Sequence, residues 1–401
     1  MLVSLAVATV VYSMRVPLFD GAGAVNLHVL QAEAFVSGET AIDQQLHNSA
    51  VYEGRIYSPY PPMPAVLLMP PAALFEPSAL NAAWISLLLT GLNAFLLTML
   101  LARVNVAPNL RPWLVAGFFL GTAYWFSLRE SQWVWHYTHV VATAFLLLAL
   151  IEALGRGRGW LVGLMLGGAV LSRQMMILAA VALLYLLWRR ETDGSARYRN
   201  IAGLAATTGI CLAAYLALNW VRFDSPFETG YAFIDHGSFL ADRFREHGLF
   251  SPAYLPFNLT HMFLEGPHFA FADPSNLREI STNEFGTSIL LASPFVLVAL
   301  YANWRDGLVR AFAVSVLLML GMHLLYYNNG WVQTNAQRFT LDYWPLLIVV
   351  CGLGLQARAE RGEERLWKGL IVWAVVLNVL TIAFLPEVND LFSTWEDTVT
   401  R

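Results

Sequence analysis

The stretch Tyr52–Phe75, YEGRIYSPYPPMPAVLLMPPAALF, passes from a polar, proline-stiffened aromatic run straight into apolar residues. Its core, Tyr57–Pro64, cannot continue as a helix. Each proline fixes φ, lacks an N–H and pushes the residue before it toward extended geometry. The reading is a rigid rim at a membrane surface, with Tyr57 and Tyr60 as the rings that would grip a substrate. Loop residues on a stiff support are a functional pointer; the plainer reading is a loop that only starts a helix.

Working outward, the chain is 57% hydrophobic and 13% charged, with a mean hydropathy of +0.53. Apolar runs of spanning length recur at Asn81–Leu101, Trp133–Leu154, Trp160–Trp188, Ile201–Trp220, Ser288–Tyr301, Ala311–Tyr327, Phe339–Leu355 and Leu366–Leu385. Such runs must be helical, because hydrocarbon leaves every backbone polar group to be paired internally. The expected fold is an all-α integral membrane bundle of about eleven transmembrane helices with two large extracytoplasmic loops. The spans are placed at 1–16, 60–76, 79–102, 112–128, 133–154, 160–188, 200–221, 287–303, 311–327, 339–357 and 368–386. Residues 1–401 read as one polytopic domain. Its parts are a module over 1–221 carrying outer loop 17–59, a second outer loop at 222–286, and C-terminal helices over 287–401. The first helix has neither a basic leader nor a small-residue cleavage site and reads as a retained span. A net charge of −4 argues against a nucleic-acid partner, and Cys211 and Cys351 lie inside spans as core residues.

Basic residues set the orientation. Arg189, Arg190, Arg197 and Arg199, then Arg305 and Arg310, then Arg358, Arg361, Arg365 and Lys368 alternate with weakly basic loops and belong inside, which puts 17–59 and 222–286 outside. One conflict remains. If 60–76 and 160–188 each cross once, Arg103, Arg111, Arg156 and Arg158 fall outside; making both re-entrant repairs the count.

Candidate chemistry follows from the outer loops. Transfer onto a hydroxyl needs a general base within reach, and the first loop offers Asp20, Glu33, Asp43 and Glu53. Glu33 lies on a segment, Ala24–Gly38, that reads as an amphipathic helix flat on the outer interface, polar edge to water. Arg55, beside the rim, suits an anionic lipid phosphate. Arg338 and Asp342, four apart, share a helical face and would pair, while Arg338 also borders a polar loop where a phosphate could bind. His136 and His139 lack a third ligand at suitable spacing, so buried hydrogen-bonded histidines are expected there and no metal ligand is assigned. Trp125, Trp133 and Trp135 read as an interfacial belt. The second loop holds His236, His247, His261 and His268 among many aromatics, and His268 is taken as a substrate contact.

These features resemble the GT-C class of polytopic glycosyltransferases, nearest its bacterial dolichyl-phosphate-mannose and aminoarabinose transferase-like group. The resemblance rests on Gly54–Pro64, GTAYWFS at Gly121–Ser127, GLMLGGAVLSRQ at Gly163–Gln174, RFDSPFETGY at Arg222–Tyr231 and NNGWVQTNAQRFTLDYWP at Asn328–Pro345. It counts seven spans before the 222–286 loop, which keeps 60–76 and 160–188 as single crossings. It implies a polyprenyl-phosphate-linked sugar donor, an extracytoplasmic acceptor, usually inversion at the anomeric carbon, and a multi-pass place in a bacterial inner membrane. A divalent metal is compatible and not required. The family's base is an early outer-loop Asp followed by another acid. Here that position holds Ala24 and Val25, so Asp20 or Glu33 would substitute; Tyr60 stands where a basic residue often precedes Pro-Pro. Arg55 and Arg338 would then hold the donor phosphate. The alternatives are a non-catalytic lipid-binding member of the class and a transporter or flippase. Against the transporter stands the lack of an inverted repeat.

Overall fold

The computed structural model describes residues 25–234, 239–266, 269–273, 276–282, 285–330 and 333–383. The expected first span, Asp20 and His268 lie outside them. The chain divides into two compact units, one within 25–103, 127–234 and 310–315, the other within 104–126, 239–309 and 316–383. The expected limits at 221 and 286 do not coincide with these boundaries.

The first unit is built on helices α1 (Leu27–Val36), α2 (Met63–Ala72), α3 (Ala82–Arg103), α4 (Val134–Leu154), α5 (Gly159–Val170), α6 (Ala180–Arg190) and α7 (Gly194–Phe223), with a short hairpin β1 (Ala50–Tyr52) and β2 (Arg55–Tyr57). α3, α4 and α7, with Gly307–Leu324, are the four helices long and apolar enough to cross a membrane among the described residues. This is a multi-pass membrane protein. α3 and α4 run parallel: Asn93 Nδ2 donates to Val140 O at 3.1 Å and, further along both helices, Arg103 Nη1 donates to Ile151 O at 3.0 Å.

A glycine stripe locks α5 onto α7. A Cβ on Gly159 would sit 1.7 Å from Asn200 O, one on Gly163 2.3 Å from Leu204 O, and one on Gly167 2.4 Å from Cys211 Sγ. Three glycines four apart let the backbones touch, and Thr207 and Thr208 then reach the carbonyls of Trp160 and Gly163 at 2.8 and 3.1 Å.

The conflict over the arginines resolves within this unit. The segment expected as one crossing at 160–188 is a hairpin. α5 ends at Val170, the 3₁₀ turn Gln174–Ala179 follows, and α6 returns so that Arg190 hydrogen-bonds Gly155 O. Twelve residues of α5 rise only about 18 Å, short of the ~30 Å hydrocarbon layer. α2 is shorter still at 10 residues, with Pro70 and Pro71 near its end, and does not span alone. Arg103, Arg158, Arg190 and Arg197 consequently share one end of the unit: Arg103 lies against Gly155, Arg158 pairs with Glu152, and Arg197 donates to Glu191 O. The re-entrant version of the sequence reading therefore fits this unit, with Arg103, Arg158, Arg190 and Arg197 gathered at one end. The loop expected to be outside packs at the opposite end, where Met63 N donates to Leu171 O at the hairpin apex.

The second unit joins Arg111–Leu120, Trp344–Ala359 and Glu364–Ala383 to 3₁₀ Pro294–Tyr301. Asn378 Nδ2 bridges the carbonyls of Leu120 and Thr122 at 2.6 and 3.0 Å. The span expected at 287–303 is broken at Ser293–Pro294, where proline starts the 3₁₀ segment after the short helix Ile289–Ala292. Phe269–Asp273 pairs antiparallel with Asn276–Thr282, and Phe285–Thr287 parallel with Gln333–Ala336.

Candidate functional site

The rim follows from its sequence. Glu53 and Gly54, with φ of 49° and 75°, turn β1 into β2 in register Tyr52↔Arg55. Two successive positive φ values match the twist of a tight hairpin and favour glycine at the second position. β2 delivers Tyr57 to the buried side, 5.3 Å from the Phe223 ring at 67°, and the prolines then carry the chain to Tyr60. Both tyrosines are buried. The Tyr60 hydroxyl accepts from Trp135 Nε1 at 2.8 Å, and Trp135 stacks on Trp133 with centroids 5.7 Å apart. Trp133 and Trp135, two of the three tryptophans expected in an interfacial belt, anchor the rim.

Arg222, in the last turn of α7, is the group sequence reasoning did not assign. It is 2% exposed. Nη1 donates to Ser58 O at 2.6 Å and Nη2 to Asn219 Oδ1 at 2.9 Å, while Nε is buried without a partner. No carboxylate forms an ion pair with it among the described residues. The helix C-terminus favours a cation by about 0.3–1 kcal/mol, whereas desolvating a guanidinium costs several kcal/mol. The two hydrogen bonds and the Phe223 ring, 5.2 Å from the guanidinium carbon, offset part of that cost, and no carboxylate among the described residues completes it. Nothing in the local sequence distinguished Arg222 from an arginine that snorkels at the end of a span; its burial under Ser58 is a tertiary fact.

Above the rim lies α1. Asn26 caps it, accepting from His28 N and Val29 N at 2.9 and 3.1 Å, and ties it to the α4 entry by donating Nδ2 to Gln132 O at 2.6 Å. The helix is not the half-immersed amphipathic element its pattern suggested. Leu27, Leu30 and Ala34 pack with Ile42, Tyr60 and Val134, and Val29 and Ala32 with Ala65, Leu68 and Tyr137. His28 and Gln31 are buried between those two faces. The His28 ring lies 5.9 Å from Tyr60 and 6.0 Å from Tyr137, both edge-on. Neither ring nitrogen makes a hydrogen bond of ordinary geometry. Burial lowers its pKa to about 4, against the weaker pull of Gln31 and the Val134 backbone, so His28 is neutral.

The remaining expected residues are scattered. Glu33 is half-buried, about 140° around α1 from His28. Arg55 is exposed beside the hairpin turn, so it is Arg222 that lies buried against the rim. Arg338 belongs to the second unit, buried, its guanidinium carbon 5.6 Å from the Phe339 ring. There residues 338–342 form a 3₁₀ turn, and Asp342 Oδ2 meets His323 Nε2 at 3.1 Å. His136 and His139 are buried, His136 Nδ1 3.4 Å from Ser127 Oγ. Among the described residues no three His, Cys, Asp or Glu side chains gather as a metal site. Glu130, also buried, lies 3.5 Å from Arg129; burial raises its pKa more than that arginine lowers it.

Comparison with known proteins places the fold. No protein-family profile and no curated protein matches the sequence. Among solved structures, ArnT from Cupriavidus metallidurans bound to undecaprenyl phosphate matches with a TM-score of 0.51 at 14% identity, over 88% of this chain and 59% of that one. The chain thus spans about three-fifths of ArnT's length, and at this identity the likeness speaks for architecture. The chain has a GT-C-like fold.

Proposed function

We propose that this protein is a GT-C-type glycosyltransferase that moves a sugar from a polyprenyl-phosphate donor to an extracytoplasmic acceptor at the outer face of a bacterial inner membrane. The observation that carries the reading is Arg222, a buried guanidinium without a carboxylate, held by Ser58 O beneath the proline-stiffened rim. A lipid phosphate supplies the missing anion and accepts from the free Nε–H, a charge-assisted contact about twice as strong as a neutral one. The GT-C-like fold adds support, since the ArnT structure was solved with undecaprenyl phosphate.

In this reading an outer-loop carboxylate, Asp20 or Glu33, removes the acceptor hydroxyl proton. The acceptor oxygen forms a bond to the anomeric carbon as the bond from that carbon to the phosphate oxygen breaks, with inversion. Both electrons of the broken bond leave with the lipid phosphate, whose growing charge Arg222 stabilises. Arg55 and Arg338 are further candidates for the phosphate. Tyr57 and Tyr60 shape the donor site, and His268 is proposed as a sugar contact. A divalent ion is compatible with this scheme, and no step passes through one.

The test is donor consumption by purified protein against a panel of polyprenyl-phosphate sugars, with Asp20→Asn and Glu33→Gln beside the parent. Turnover that one substitution abolishes, with the thermal midpoint unchanged, supports the reading and names the base. Ala24, at the position where the class carries its acid, favours one second reading, a non-catalytic lipid-binding member. Tight donor binding with no turnover for any acceptor would establish that instead.

A further inference from the structure

The buried groups next to the rim define which kind of sugar it accepts. His28, Gln31 and Tyr137 lie together between α1 and the start of α4, reached from Arg222 through Ser58 and Tyr60. All three are at most 1% exposed, and the Tyr137 hydroxyl is buried without a hydrogen-bond partner. Ser58 Oγ, on the rim residue that Arg222 binds, is likewise buried and unpartnered. Leaving such groups unmet is unfavourable, so an apolar core would have been cheaper on stability alone.

The chemistry of the set is specific. A neutral imidazole, a carboxamide and a phenol each donate and accept, which matches a sugar hydroxyl that also does both. Among the described residues no ionised side chain is placed with them: Glu33 stands on another face of α1, and Glu130 lies 3.5 Å from Arg129. We infer that His28, Gln31 and Tyr137 form a subsite for an uncharged, hydroxyl-rich sugar, and that this protein discriminates against donors whose sugar carries an ammonium or a carboxylate. An ammonium placed there loses its water without gaining a carboxylate from these three groups, and a carboxylate meets no cation but Arg222, which the donor phosphate already occupies, so each is disfavoured. The inference rests on the lipid-phosphate reading of Arg222 and adds the sugar to it.

The test uses the full-length protein in lipid nanodiscs, titrated with undecaprenyl phosphate, an undecaprenyl-phosphate neutral hexose and an undecaprenyl-phosphate amino sugar. The hexose donor is expected to bind about tenfold tighter than the bare lipid phosphate, and the amino-sugar donor no tighter than it. Tyr137→Phe and Gln31→Leu should each remove most of that tenfold gain while affinity for the bare lipid phosphate stays within about twofold. Tyr137→Phe guards against a folding artefact, since a merely structural unpartnered hydroxyl would raise the thermal midpoint when removed and leave the gain intact. That outcome, or tighter binding of the amino sugar, overturns the inference alone. If bare undecaprenyl phosphate fails to bind the parent, the lipid-phosphate reading falls and this inference with it.

Discussion

The two ends of the first unit treat arginine in opposite ways. At the basic end Arg158 is paired with Glu152 at 2.9 Å, Arg103 with Ile151 O, and Arg197 with Glu191 O, and the Arg158 side chain is 42% exposed. At the opposite end Arg222 is buried, with a carbonyl, an amide and the Phe223 ring for company. The first pattern is how a membrane protein records its orientation: charges in water or paired, each worth little. The second is costly and stable only if the rest of the fold tolerates it, which is the condition under which binding sites are built. On the function proposed above, the satisfied charges mark topology and the buried Arg222 marks the donor site.

The sharpest way to break this contrast is Arg222→Met. Donor turnover or lipid-phosphate affinity should fall by at least about a hundredfold, the cost of losing a buried charge-assisted contact. The thermal midpoint should hold or rise, because an apolar side chain of similar volume removes the desolvation penalty. A drop in stability without a change in binding would make Arg222 structural. At the other end, Gly163→Leu should cost about 3 kcal/mol or more, because its side chain has no room between α5 and α7. Loss of folded protein in a thermal or protease-resistance assay reads this out.

pH gives a third handle. His28 carries a proton in the unfolded chain below about 6.5 and in the folded protein only below about 4. The unfolded state therefore binds more protons between those values, and stability present above pH 6.5 is lost as pH falls toward 4. The loss is about 3 kcal/mol from this group. His28→Gln should flatten the midpoint in that window; an unaltered slope would mean that His28 is solvated. The smallest effect belongs to Arg55→Ala, where exposure limits the change in stability to about 0.5 kcal/mol. A large loss of donor affinity from it would move the phosphate contact back to the hairpin.

Much of the fold was legible because membrane spans announce themselves by length and composition. The long helices at 79–102, 133–154 and 200–221 fall within a few residues of α3, α4 and α7. The rim was legible too, since Pro59, Pro61 and Pro62 exclude a helix whatever surrounds them. What the pattern could not distinguish was one 29-residue apolar run from two short helices folded back on each other, as at 160–188. Hydropathy is the same for both, and the glycine stripe that selects the hairpin acts through α7. The site was harder for a related reason. Glu33 and Arg55 stand out as charged loop residues, yet both reach solvent, while Arg222, His28 and Gln31 owe their character to burial that no local pattern encodes. α1 shows it best: its heptad-like apolar stripe was real, but neighbours cover the other faces as well.

The most direct test of the account is the affinity of undecaprenyl phosphate for nanodisc-embedded parent protein beside Arg222→Met, with the thermal midpoint followed in the same samples. Saturable binding by the parent, lost by about a hundredfold or more in a variant that melts no lower, is the predicted result. Equal binding by both proteins would contradict it and leave the buried guanidinium as a packing element of the rim.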